Sequence, residues 1–306
     1  MFRAFFIALS ESRALRNVAE RSRIGRRMSG RFVAGMSVEE ALQATVATNQ
    51  RGMSVSVDNL GENVTNLEEA RHSAQLYHDM LNELEKRKLD ANVSLKLTHM
   101  GLDVDENVAK QIADEVVAHA ARIDNFVRID MEGSAYTQKT LDFVRDLHRR
   151  PGNAGHVGAV IQAYLHRSQR DVEELCAEGI RIRLCKGAYK EPAEIAYQDK
   201  VEVDANFVRL MKIMLKSGVY HGIATHDPKM IDATIAFARA ENISPKSFEF
   251  QMLYGVRRDL QEQLVKDGWG MRVYIPFGTE WYPYLMRRLA ERPANAIFIL
   301  KNVFRR

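Results

Sequence analysis

From residue 53 onward, short runs rich in β-branched residues alternate with longer stretches whose apolar positions recur at helical spacing. The runs are Ser54–Val57, Asn92–Leu97, Asn125–Asp130, Gly158–Tyr164, Ile180–Cys185, Gly222–Thr225, Ser247–Leu253 and Arg272–Ile275. These eight runs lie about 31 residues apart on average, the length of one strand–helix–strand unit. Several read as apolar almost throughout, the pattern of parallel strands covered on both faces. The stretches between them carry helix start and stop signals. Ser37 with Glu40, and Thr65 with Glu68, read as capping boxes. Ser168 opens a short helix that Gly179 ends, and Asp227 followed by Pro228 is a cap with proline at the first helical position. Gly218 and Gly268 stop two more. Eight strands, each followed by a helix, predict an α/β chain folded as a (β/α)8 TIM barrel over residues 51–306. Residues 1–50 are expected to form an N-terminal helical extension packed on it. An open doubly wound sheet is the alternative, but no G-x-G-x-x-G follows a strand.

Composition narrows the class. The chain has 306 residues, 46% hydrophobic and 27% charged, with a mean hydropathy of −0.31. That excludes a disordered tail, a collagen-like chain and a disulfide scaffold. No apolar run reaches the ~18 residues of a spanning helix. The two cysteines, Cys176 and Cys185, read as reduced packing residues of a cytoplasmic protein. The net charge of +4 is uneven: residues 1–35 carry +6 and the remainder −2. The basic balance therefore belongs to an arginine-rich start and not to a nucleic-acid-binding face on the body. With Phe2, Phe5, Phe6 and Ile7 ahead of its arginines, that start fits three readings. It is a transit-like peptide, a helix in peripheral contact with a membrane surface, or an amphipathic helix packed on the body.

Barrel enzymes build their sites at the C-terminal ends of the strands. There the sequence places Lys96, Asp130, Gln162, Arg183 and Lys186, polar groups that a purely apolar barrel interior would not need. Lys96, Arg183, Lys186, Arg287 and Arg288 face only Asp130, with Glu132 and Glu291 near, so a net cationic cavity is expected to take anions. Tyr284, Arg287 and Arg288 share part of one helix face, and adjacent arginines can grip a planar carboxylate. Lys186-Gly187-Ala188 lets backbone approach a diphosphate closely, and Thr225-His226 can add a hydroxyl and a ring nitrogen. A phosphate-bearing cofactor and a small carboxylate substrate are the expected contents. Two competitors stay open at this point. One is a metal held by His99, His226 and Asp130, without H-x-H or H-E-x-x-H spacing to support it. The other is a Schiff-base lyase using Lys96.

Seven segments and one helix carry a resemblance. They are Ser94–Thr98 (SLKLT), Arg128–Glu132 (RIDME), Gln162–Ser168 (QAYLHRS), Arg183–Tyr189 (RLCKGAY), Ala224–Asp227 (ATHD), Phe248–Gly255 (FEFQMLYG), Arg272–Gly278 (RVYIPFG) and Tyr284–Glu291 (YLMRRLAE). Together, and in this order, they resemble the proline dehydrogenase family, in particular its short, monofunctional bacterial branch. The resemblance implies a distorted, FAD-binding barrel whose last helix sits over the mouth. It implies oxidation of L-proline to Δ1-pyrroline-5-carboxylate, the first step of proline catabolism, by hydride transfer from C5 to flavin N5, with electrons passed to a quinone or another acceptor. By the same resemblance, Asp130 and Arg183 are catalytic, Asp130 ordering Lys96 and Arg183 lying near N5. Lys96, Tyr274, Tyr284, Arg287 and Arg288 bind substrate, and Tyr189 is a wall residue. Met131, Gln162, Arg183, Lys186, Gly187, Ala188, Thr225 and His226 bind FAD, and no metal is implied. Cys185 and His166 stand where relatives often carry other side chains. A chain ending at Arg306 carries the expectation that a separate pyrroline-5-carboxylate dehydrogenase performs the second oxidation. Hydroxyproline dehydrogenation is the alternative within the family, and Tyr274 leaves little room for a ring hydroxyl. A regulatory barrel that binds proline without turnover is the non-enzyme alternative.

Overall fold

The computed structural model of the chain describes residues 30–61 and 63–291, with side chains through residue 286. The arginine-rich segment singled out above lies mostly in residues 1–29, outside the described residues. Helix α1 (Val38–Asn49) precedes strand β1 (Ser54–Asn59) and helix α2 (Leu67–Lys86). Then follow β2 (Ala91–Leu95), α3 (Glu106–Arg122), β3 (Val127–Ile129), α4 (Ser134–Arg149), β4 (Val157–Gln162) and α5 (Ser168–Ala177). The chain continues through β5 (Arg181–Cys185), α6 (Lys200–Lys216), β6 (His221–Ala224), α7 (Pro228–Ala240), β7 (Phe248–Leu253), α8 (Arg258–Lys266), β8 (Met271–Phe277) and α9 (Trp281–Glu291). The eight strands are parallel and close into a barrel in sequence order, β1 pairing with β8.

The helix signals hold with two corrections. Ser37 and Glu40 form the capping box of α1, and Asp227 with Pro228 starts α7. At α2 the cap is Asn66, one residue later than expected, and no reciprocal box closes on it. Asn66 accepts the Glu69 N–H at 2.9 Å, and the Glu69 carboxylate turns back to the Thr65 N–H at 3.0 Å. Ser168 is the first helical residue of α5 rather than its cap, because its hydroxyl donates to the Gln162 carbonyl at 2.5 Å and ties the helix to the end of β4.

The strands are not apolar throughout. In β1, β2, β5 and β7 polar residues alternate with apolar ones and point into the barrel. Ser56 of β1, Ser94 of β2, Arg183 of β5 and Gln251 of β7 meet across the interior. Their neighbours Val55, Val57, Val93, Leu95, Ile182, Leu184, Phe250 and Met252 are buried in the apolar core with the helices. A period of two thus sends the hydrophobic set outward and leaves a charged, hydrogen-bonded interior where bulky aliphatic layers are the usual filling.

The ends of the described chain depart from the regular barrel plan. Helix α1 packs on β8 and β1, the flank that a helix following β8 would otherwise cover. Helix α9, which does follow β8, instead clusters with Phe32, Val33 and Leu60. Leu60 directly follows the C-terminal end of β1, so α9 lies at the mouth. The 32–35 segment is stitched beside it by Ala34 N–H to the Pro276 carbonyl and Gly278 N–H to the Gly35 carbonyl, both 2.9 Å.

Two buried histidines make the fold sensitive to acid. His221, wholly buried, accepts the Ile182 N–H on Nδ1 at 3.0 Å and meets the Ser217 hydroxyl with Nε2 at 2.9 Å. Burial, with Arg128 and Arg181 near, pushes its pKa down to about 3. Burial also pushes His99 down to about 4, helped by Lys96. The unfolded chain protonates both near ~6.5, so it binds more protons, and stability falls as pH drops below that value toward the folded ones. Asp58 acts in the opposite sense. Burial raises it to about 6, so as pH falls through that value the fold takes a proton before the unfolded chain does and offsets part of one histidine. The expected result is a lower urea midpoint at acid than at neutral pH, with a smaller drop in His221→Gln. An equal drop in that variant would exclude His221 as a source.

Candidate active site

Arg183 is the hub of the barrel interior. Its Nε donates to Gln251 Oε1 at 2.5 Å, one terminal nitrogen donates to Asp130 Oδ1 at 2.7 Å, and the other lies 3.1 Å from the hydroxyls of Ser56 and Ser94. The guanidinium also lies over the Tyr274 ring, 5.1 Å from its centroid. Tyr274 donates its hydroxyl to the second oxygen of Asp130 at 2.8 Å, so one carboxylate joins an arginine and a phenol. Burial, with Asp130 and Asp58 beside it, raises the Tyr274 phenol far above its ordinary pKa, so it remains a hydrogen-bond donor.

Lys96 is brought to the same mouth, but its carboxylate partner is not the expected one. Asp58, 1% exposed at the end of β1, takes the Lys96 ammonium at 3.3 Å, while Asp130 is occupied by Arg183 and Tyr274. The topology explains the difference. β1 and β2 are adjacent and Asp58 is in register with Ser94, two residues before Lys96 on the same inward face.

Lys186 is also not a free cation. Its ammonium is held by Asp204 of α6 and, at 2.7 Å, by Asp227, the cap of α7. Burial would raise both carboxyls, but the Lys186 hydrogen bond overrides it and holds them below the ordinary range. Each described cation at the mouth thus has an acid, and the expected net positive cavity is not found among Lys96, Arg183 and Lys186. The side chains of Arg287, Arg288 and Glu291 lie outside the described residues, although their backbone continues α9. Glu132, counted near the mouth, accepts the Thr98 N–H at 3.2 Å and its hydroxyl at 2.7 Å, clamping the end of β2 to β3.

A second wall forms beyond β4, β5 and β6. Gln162 is 3% exposed, and its side-chain oxygen is buried without a hydrogen-bond partner among the described residues. Gly187 follows with φ of +112°, and a Cβ there would come within 2.2 Å of the Tyr164 ring. Thr225 Oγ1 accepts the Asp227 N–H at 3.1 Å. His226 Nε2 accepts the Leu253 N–H at 2.9 Å, which leaves the ring proton on Nδ1. Met131 and Tyr284 are buried, Met131 in the main core and Tyr284 in the α9 cluster. The three metal candidates are separately engaged: His99 with Ser73 at 2.7 Å, His226 with Leu253, and Asp130 with Arg183. Sequence reasoning missed Ser56, Asp58, Gln251 and Asp204. The signal for the first three was the period-two alternation in SVSVD and FEFQM; for Asp204, inside an ordinary helix, there was none.

The comparisons with known proteins agree with one another. The family profile described as Proline dehydrogenase matches residues 41–301. Proline dehydrogenase 2 of Bacillus subtilis (strain 168) is 40% identical over 301 residues, covering 98% of both chains. Proline dehydrogenase of Deinococcus radiodurans is 39% identical over 303 residues, covering 96% of this chain and 97% of its own. The bifunctional protein PutA of Escherichia coli (strain K12) is 28% identical, and this chain spans 24% of its length. Among solved structures, proline utilization A from Bdellovibrio bacteriovorus inactivated by N-propargylglycine superposes with a TM-score of 0.83 at 28% identity, covering 90% of this chain and 34% of that one. By profile, by near-full-length relatives and by fold, the chain belongs to the proline dehydrogenase family and is an enzyme of proline oxidation.

Proposed function

We propose that the chain removes a hydride from C5 of L-proline and a proton from its nitrogen, leaving Δ1-pyrroline-5-carboxylate, with FAD as resident hydride acceptor and a quinone-type acceptor outside. The observation that carries this reading is the Arg183–Asp130–Tyr274 group, a fixed cation and phenol sharing one carboxylate at the barrel mouth. The residues fit a flavin. The orphaned Gln162 oxygen can accept a ring N–H, and Gly187 lets the wall pass close against the Tyr164 ring where a Cβ would clash. Met131, Gln162, Arg183, Gly187, Ala188, Thr225 and His226 would hold the cofactor, with Lys186 contributing position rather than net charge. When bound, FAD would supply the hydride acceptor at its N5.

The remaining work falls to the chain. Arg287 and Arg288, with Lys96, would grip the carboxylate, so that C5 faces the cofactor. Tyr274 and Tyr284 would wall the ring, and Arg183 would stabilise negative charge as it arrives. The helical extension to residue 50, the barrel from residue 51, a cytoplasmic location and a separate downstream dehydrogenase belong to the same proposal. So does a weak contact of the arginine-rich start with anionic membrane, where each basic residue contributes ~1 kcal/mol. Among the described residues no helix is long and apolar enough to cross a membrane.

The test is spectroscopic. The purified protein should show a bound flavin that bleaches when L-proline is added without oxygen, and much less with trans-4-hydroxy-L-proline. A flavin bleached preferentially by hydroxyproline would reverse the substrate assignment, and a protein that takes up no FAD would overturn the cofactor. Arg288→Ala should raise KM for proline roughly ten- to a hundredfold, from the loss of a charge-assisted bond of ~1.5–3 kcal/mol, with flavin content retained. An unchanged KM would remove Arg288 from the clamp.

A further inference from the structure

We infer that Gln251 is the positioning residue for Arg183, its amide oriented by Glu249 from below and given room by Gly222. The inference rests on the proposed role of Arg183 beside the flavin. Arg183 needs an acceptor on Nε, because its other two nitrogens are committed to Asp130, Ser56 and Ser94. Gln251 Oε1 is that acceptor, at 2.5 Å. An amide presents its oxygen only if its nitrogen is satisfied on the other side. Gln251 Nε2 donates to Glu249 Oε1 at 2.6 Å. Glu249 can only accept. It is 4% exposed, and although burial opposes its charge, Arg272 at 2.6 Å overrides that and holds its pKa below the ordinary range. Tyr220 donates to its other oxygen at 2.9 Å, and Arg272 is itself anchored to the Val55 carbonyl at 2.6 Å. A charge-fixed carboxylate on the barrel floor therefore forbids the flipped amide, and the amide aims Arg183 at the mouth.

Gly222 makes the arrangement possible. It stands opposite on β6, and a Cβ there would lie 2.3 Å from Gln251 Nε2. The column Arg272–Glu249–Gln251–Arg183–Asp130–Tyr274 spans the interior from floor to mouth, each link between polar groups at 2.5–2.8 Å. Reaction geometry at the top is thereby set by residues that touch neither substrate nor cofactor.

Two variants test this in the FAD-loaded enzyme. Gln251→Leu removes both bonds, and Gly222→Ala keeps every polar group but displaces the amide. Each is expected to lower kcat at least tenfold with KM for proline within threefold, because the carboxylate clamp is untouched. Each should also lower the midpoint potential of the flavin, read by reductive titration with dithionite, by about 30 mV for a tenfold loss of reduced-state stabilisation in a two-electron couple. Folded variants with unchanged kcat and potential would overturn the inference. So would activity lost only in proportion to flavin content, the mark of a structural role. If one variant fails to fold, the other decides. The dithionite titration needs no proline, so a wild-type protein that ignores proline would sink the functional reading while the potentials still judge the positioning.

Discussion

Replacement of Arg183 by methionine is expected to reduce kcat for proline oxidation by roughly 10²–10³, the usual loss when a preorganised donor facing developing charge is removed. The side chain makes four polar contacts inside the barrel, and methionine fills much of the same space while donating none. Half-buried Asp130 would then keep only the Tyr274 hydroxyl of these two partners, and the Gln251 oxygen would face an apolar chain. Arg183 and Asp130 have side chains only 7% and 12% exposed, so breaking the pair by removing one member should also cost about 3–5 kcal/mol of stability. The two effects separate experimentally: thermal unfolding reads the second, and turnover at a temperature well below unfolding reads the first. Arg183→Lys restores charge but cannot reach all four acceptors from one ammonium, and it should recover stability better than rate. A kcat within threefold of wild type in the methionine variant would remove Arg183 from the chemistry.

The second large effect is expected at Gly187. Alanine there meets two independent obstacles. The backbone φ of +112° is a region that L side chains rarely adopt, at a cost of about 1–3 kcal/mol. The new Cβ would also lie 2.2 Å from the ring of Tyr164, which is itself buried against Leu165 and Ala196 and has little room to turn. The strain falls on the wall proposed to hold the cofactor. Gly187→Ala should therefore purify with the circular dichroism of an intact barrel but with less than about a tenth of the wild-type flavin absorbance, the energetic equivalent of at least ~1.4 kcal/mol. Adding Tyr164→Ala relieves the clash and not the φ, so the double variant should regain part of the flavin and not all of it. Full flavin in the single variant would show that the wall does not need its glycine.

Much of the fold was legible because the barrel is written locally. Each strand is a short β-branched run, and each helix carries caps or stops that act within four residues. The error at α2 is instructive: Thr65 and Asn66 are both competent caps, and Glu68 and Glu69 are both available partners, so a one-residue choice fell to geometry that spacing alone does not encode. The reading of several strands as almost wholly apolar overlooked the inner face of β1, β2, β5 and β7 for another reason. Serine and glutamine between valines and phenylalanines look neutral in a run, yet period two separates them completely onto the inner face. At the site, the residues themselves were largely visible at strand ends, but their partners were not. Lys96 meets Asp58 from 38 positions away, and Lys186 meets Asp204 and Asp227, which read as ordinary helix and cap residues. A count of cations along the chain therefore does not show which acids meet Lys96 and Lys186, because pairing is a property of three dimensions.

The placement of α1 has a consequence for how the chain reaches its structure. The seam between β1 and β8 is covered by a helix that lies before both strands, while its last pairing partner is β8. During synthesis the covering helix emerges first and waits for β8, more than two hundred residues later, before its apolar side has a complete surface to bury. At ~5–20 residues per second, that interval lasts roughly 10–45 s. The β8 side of α1 and the free edge of β1 stay uncovered throughout it, whereas α2, α3 and α4 each meet the strand that follows them within a few residues. Late, non-local closure of this kind slows folding and prolongs exposure to aggregation. Substitutions on α1 should consequently lower the yield of soluble protein more than they lower the stability of what folds.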